Sequence, residues 1–145
     1  MLYLSVTHAR RALANEWRWQ NFQIAELACK CSDRYCRGQY WHAPRFLDHL
    51  QTLRDRIGRP LTVRSGHRCA LWNAHVGGAP KSQHKQIAVD LAVSGHDRAQ
   101  LYAAARETGF SGFGLARSFI HLDLRPQTAT WFYHRSRETW MTSLA

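Results

Sequence analysis

Three residues stand out for the chemistry they could carry. Asp90 interrupts IAVDLAV (residues 87–93), an apolar run rich in β-branched residues that reads as a central strand. A carboxylate buried there is costly unless it meets an arginine or a bound cation. His121 lies in FIHLDL (residues 119–124). There the strand period puts His121 and Asp123 on one face and Ile120, Leu122 and Leu124 on the other. His84 ends a glycine-containing loop that leads into the Asp90 strand. Two histidines and one aspartate form a three-ligand zinc shell with a fourth position open to water or substrate. Each residue alone has an ordinary explanation. With 20 Lys and Arg residues in the chain, a salt bridge to Asp90 is easily made, and a lone histidine on a half-exposed face is commonplace. The arrangement carries the reading.

The elements that must position these residues can be read from pattern. Phe46, Leu47, Leu50, Leu53 and Ile57 recur at helical spacing, with Pro44 before them and Gly58 after. Ala9 to Trp19 suits a short helix. Pro60 forces an extended entry into Leu61-Thr62-Val63, a strand. From Ser65 to Gln83 the chain turns irregular, through SGHR and then VGGAPKS. Asp97 can cap a helix running to about Thr108, with Gln100 in the capping-box position and Gly109 as the stop. Phe119–Leu124 and Thr130–Tyr133, joined by a turn near Pro126, read as an antiparallel pair. The sum is an α+β fold: a small, mostly antiparallel sheet flanked by helices.

The 145 residues fit one domain over 1–145, with 45% hydrophobic residues to build its core. No apolar window is long enough to span a membrane. MLYLSVTHARRALANEWRW lacks the charge-then-apolar order of an export signal, so the expectation is a protein that stays in the cytoplasm until released, or that is phage-associated. The net charge of +10 favours an anionic partner, either nucleic acid or a cell-wall polymer. No helix-turn-helix, zinc-finger or aromatic RNA-binding signature supports nucleic acid. Cys29, Cys31 and Cys36 stand in CKCSDRYC, with Cys69 further on. This spacing is not the paired CxxC of a zinc ribbon. It leaves open a structural metal site, one or two disulfides, or buried thiols. Cys29 and Cys31 are too close in sequence to bridge each other easily, which leaves Cys69 to pair back to one of the three.

SGHRCALWNAHVGGAPKSQHKQIAVDL followed by GFSGFGLARSFIHLDLR resembles the zinc D-alanyl-D-alanine carboxypeptidase family. That family includes phage L-alanyl-D-glutamate endolysins, D-Ala-D-Ala dipeptidases and, as a relative by fold, the hedgehog signalling domain. Its blocks S-G-[YH]-R, N…VGG…S-x-H, A-x-D and F-[IV]-H-[VL]-D all occur here in order, and FQIAELACKC upstream is also similar. The resemblance implies Zn2+ held by His84, Asp90 and His121, with Arg68 contacting substrate or the developing oxyanion and Ser82 binding substrate. It implies hydrolysis of peptide bonds in peptidoglycan stem peptides, of the D,D-carboxypeptidase or L-alanyl-D-glutamate endopeptidase type. A non-catalytic, metal-bearing cell-wall or phage module is the alternative. Two departures stand out. His84 and Asp90 are one position closer than is usual, so Lys85-Gln86 must absorb the difference or Asp90 faces the wrong way. Where many relatives carry the catalytic carboxylate, three residues before the last histidine, this chain has Ser118. Asp123 is then the candidate base or the orienter of a ligand, ahead of His67 and His134.

Overall fold

The computed structural model describes residues 1–145. In chain order the elements are β1 (Leu2–Tyr3), α1 (Val6–Leu13), α2 (Ile24–Leu27), β2 (Tyr40–Trp41), α3 (Pro44–Ile57), β3 (Val63–Ser65) and α4 (Ala70–His75). Then follow β4 (Val89–Ala92), α5 (Arg98–Thr108), β5 (Gly112–Leu115), β6 (Phe119–Asp123), β7 (Ala129–Phe132) and α6 (Arg137–Leu144). This is the expected α+β class. α3 starts on Pro44, whose missing N–H costs nothing in the first turn, and stops where Gly58 turns left-handed at φ 65°. α5 is capped by the Asp97 carboxylate, which accepts from the Gln100 amide at 2.9 Å.

The main sheet has five strands in the order β3-β4-β6-β5-β7. All neighbours are antiparallel except β5 and β7, which run parallel. This corrects the expectation for Thr130–Tyr133. That segment does not pair with Phe119–Leu124, because β5, in the glycine-rich GFGL, lies between them. The first long helix is also shorter than expected, ending at Leu13, with Trp17 and Trp19 in the turns beyond it.

Period two sorts the sheet into two faces. Val89, Leu91, Ile120, Leu122, Phe113 and Leu115 share a face with their cross-strand partners and join one apolar cluster with Leu47, Leu50 and Leu53 of α3 and Leu101 and Ala105 of α5. The N-terminal segment adds Trp19, Phe22, Leu27 and Tyr40 to the same cluster. On the other face the register lines up one residue from each strand. Ser65 pairs with Asp90, Asp90 with His121, His121 with Gly114, and Gly114 with Trp131. The candidate ligands Asp90 and His121 are thus direct cross-strand neighbours.

Candidate metal centre

His84 reaches this row from above the sheet. It sits in a single 3-10 turn, Gln83–Lys85, whose start is capped by the Ser82 hydroxyl accepting from the His84 amide. Gln86 then redirects the chain into β4. His67 Nδ1 donates to the Gln86 carbonyl at 2.6 Å and pins this reversal. The turn absorbs the shortened spacing, so Asp90 points to the same side as His84. The preceding SGHR segment is held from below. A Cβ on Gly66 would come 2.5 Å from the Leu27 carbonyl oxygen, so only glycine permits this approach. The approach lets the Gly66 carbonyl accept from His84 Nδ1 at 2.7 Å.

These contacts fix which ring nitrogens carry protons. A carbonyl can only accept, so His84 Nδ1 is the protonated nitrogen and Nε2 offers a lone pair. His121 Nε2 lies 2.7 Å from Asp123 Oδ2, so it donates there and leaves Nδ1 as the free donor atom. Those two lone pairs face each other at 3.0 Å. They face Asp90 Oδ1 at 3.0 and 3.1 Å. Three electron-rich atoms converge where nothing but a positive charge can hold them together. For nitrogen and oxygen ligands about 2.0–2.1 Å from zinc, tetrahedral edges are about 3.3 Å, close to what is seen. The donor set therefore fits a divalent zinc ion.

The electrostatics agree. Burial works against an imidazolium at His121, yet hydrogen bonds to Asp123 and Asp90 outweigh it and push its pKa up. Burial also works against the Asp90 carboxylate, but His121 and His84 hold it well below the usual range. Both shifts mark a place where positive charge is favoured.

Asp123 stands behind His121. It is 0% exposed and does not line the cavity. Its oxygens accept from His121 Nε2, from the Arg125 amide at 3.0 Å, and from Arg125 Nε and Nη2 at 2.9 and 2.6 Å. Burial alone would raise its pKa, and Arg125 and then His121 reverse that and keep it ionised. So placed, Asp123 faces His121 and Arg125 rather than the cleft, a position suited to orienting His121. Ser118 is also elsewhere, with its hydroxyl on Arg64. His134 is exposed and outside the cleft.

The three ligand atoms open onto a cavity of about 530 Å³. Arg68, Lys81 and Arg125 line it, with Ser82, Trp131 and Tyr133; Asp90 is its sole carboxylate. The Arg68 guanidinium is held by Ser65 Oγ at 3.2 Å, Asn73 Oδ1 at 3.4 Å and Asp90 Oδ2 at 3.4 Å. Arg125 also stacks over Trp131 at 4.4 Å. A wider groove of about 960 Å³ beside α6 contains arginines and Glu138 but none of the converging ligands.

The sequence alone did not mark Lys81, Arg125, Trp131 and Tyr133 as cleft residues, nor Asn73 as a brace of Arg68. A signal for some of them existed in GFSGFGL. Gly112 is glycine because the Asp123 carboxylate fills the space of a side chain. Gly114 is glycine because Tyr133, Trp131 and His121 crowd it, with a Cβ there 2.7–2.9 Å from each. Alternating glycines on a strand mark bulky groups leaning over it.

The Peptidase M15 family model matches residues 20–123, and the chain belongs to that family. The family is one of zinc peptidases, and His84, Asp90 and His121 form a cluster that could hold a metal ion. No curated protein matches the chain significantly. No helix is long and apolar enough to cross a membrane.

Proposed function

We propose that this protein is a zinc peptidase that cuts amide bonds in the peptide stems of peptidoglycan, with the metal held by His84 Nε2, Asp90 Oδ1 and His121 Nδ1. The observation that supports it most is the convergence of these three proton-free atoms at one end of a cleft lined by three cations. Bound by these three residues, zinc would supply a Lewis acid for the scissile carbonyl and an acidified water.

The chain's own groups do the rest. Asp123 and the Gly66 carbonyl keep the two imidazoles in the right tautomer and orientation. Arg68, braced by Ser65 and Asn73, binds a substrate carboxylate or the oxygen that gains charge as the carbonyl is attacked. Burial, and then the charge of Asp90, pushes the Tyr133 hydroxyl up, so it stays protonated and can donate a hydrogen bond or a proton in the cleft. Ser82 and Lys81 line the mouth and suit the anionic, carboxylate-bearing stems. Its place of action is the cell wall.

A second reading is a non-catalytic, metal-bearing wall-binding module. The observation behind it is that Asp90 is the cleft's sole carboxylate, so no aspartate or glutamate is free to act as base. Incubation with purified cell walls separates the two. The peptidase reading predicts new amino termini and released stem fragments, lost with chelator and restored by zinc. Binding to walls with no new termini supports the module.

A further inference from the structure

We infer that Cys29, Cys31, Cys36 and Cys69 form a second zinc site, structural rather than catalytic, that clamps the N-terminal segment to the wall of the cleft. The four sulfurs come from two distant stretches of chain, yet all lie within 4.8 Å of one another. All four are free thiols, and three are buried. Cys31 Sγ and Cys36 Sγ are 3.5 Å apart, well beyond a disulfide bond of about 2.05 Å. Four sulfurs about 2.3 Å from a zinc ion would stand about 3.8 Å apart. The cluster is near that size already.

The backbone around the sulfurs is arranged for thiolates. Every sulfur accepts an amide N–H at 3.4 Å. Cys69 donates to Cys29, Tyr35 and Cys36 to Cys31, Gln39 to Cys36, and Trp72 to Cys69. A neutral thiol gains little from such donors; a metal-bound thiolate gains much more. The loop between Cys31 and Cys36 also bends through Ser32 and Asp33, both at positive φ without being glycine. Such turns cost energy and persist where something fixes the loop ends together. In sequence, Lys30, Arg34 and Arg37 flank the three cysteines, against the single acid Asp33.

Binding replaces four S–H bonds with four zinc–sulfur bonds and releases four protons, leaving a dianionic centre. Its consequence for the cleft is direct. Cys69 follows Arg68, and its side chain caps α4, which carries Asn73, a partner of Arg68. Fixing Cys69 against residues 29–36 therefore fixes the position of the Arg68 guanidinium.

Metal content and cobalt spectra of the full chain, purified under reducing conditions, test this. Wild type should hold two zinc ions per chain, and H84A should keep one. Cobalt-loaded H84A should show the near-ultraviolet sulfur-to-cobalt charge-transfer band of thiolate ligands, and C31S should lack it. Native zinc-loaded protein should resist alkylation at all four cysteines, whereas chelated protein should not. If C31S fails to fold, the H84A spectrum and the alkylation pattern decide alone. A single zinc lost in H84A with no charge-transfer band, two disulfides under non-reducing mass spectrometry, or equal alkylation with and without zinc would each overturn the proposal. None of these readouts depends on peptidase activity, so an inactive protein leaves this result standing.

Discussion

Two clusters of ligand-type side chains lie within one fold, and they differ in what surrounds them. The cysteines are mostly enclosed: three of the four are buried, and the sulfurs face each other and backbone amides. Around His84, Asp90 and His121 one side is open, onto a cleft with Arg68, Lys81 and Arg125. Four soft ligands fill a tetrahedral shell, whereas three harder ones leave a position free. The same metal can serve stability in the first place and chemistry in the second. The distinction comes from ligand count and access rather than from the fold class.

The strongest way to break this comparison is to remove a ligand from the open cluster. H121A should abolish peptide release from cell walls and metal binding at the cleft while leaving the thermal transition and the cysteine cluster in place, as read by activity, metal analysis and circular dichroism. Parallel loss of stability would mean that the open cluster is structural too. Next in size is R68A. Its kcat should fall roughly 10²–10³-fold with zinc content unchanged, and R68K should rescue little because an ammonium cannot reproduce the fork held by Ser65 and Asn73. D123N should act on the metal instead. Zinc affinity should fall about 10–100-fold by competition with a chromophoric chelator, and activity should return at high zinc. A D123N enzyme that stays dead when saturated with zinc would return Asp123 to the list of catalytic bases. The smallest effect is on stability. G112A forces a methyl group into the Asp123 carboxylate, so unfolding by denaturant should show a loss of about 1–3 kcal/mol.

Much of the site was legible before the structure, for identifiable reasons. His84 and His121 announce themselves because they sit in ordered blocks of sequence, and Asp90 because a charge in IAVDLAV needs a partner. That Asp90 and His121 are opposite each other was not legible, since register depends on long-range pairing of β4 with β6. The surroundings of Asp123 depend on Arg125, two residues later, whose guanidinium folds back onto it. An Asp-x-Arg pair on a strand end gives no sign of this in isolation. Trp131 and Tyr133 escaped because β7 runs parallel to β5 and so was assigned to the wrong neighbour. Cys69 was expected to return to the other three cysteines, and it does, through the docking of Gly66 on Leu27, but as a free thiol rather than in a disulfide.

The central claim is that His84, Asp90 and His121 hold zinc at the head of the cleft. A crystal structure of the zinc-loaded protein with anomalous data collected on both sides of the zinc edge tests it most directly. An anomalous peak is expected about 2.0–2.2 Å from His84 Nε2, Asp90 Oδ1 and His121 Nδ1, with its free side toward Arg68. Absence of density between those three atoms in zinc-saturated crystals, or an ion bound through other nitrogens, would contradict it.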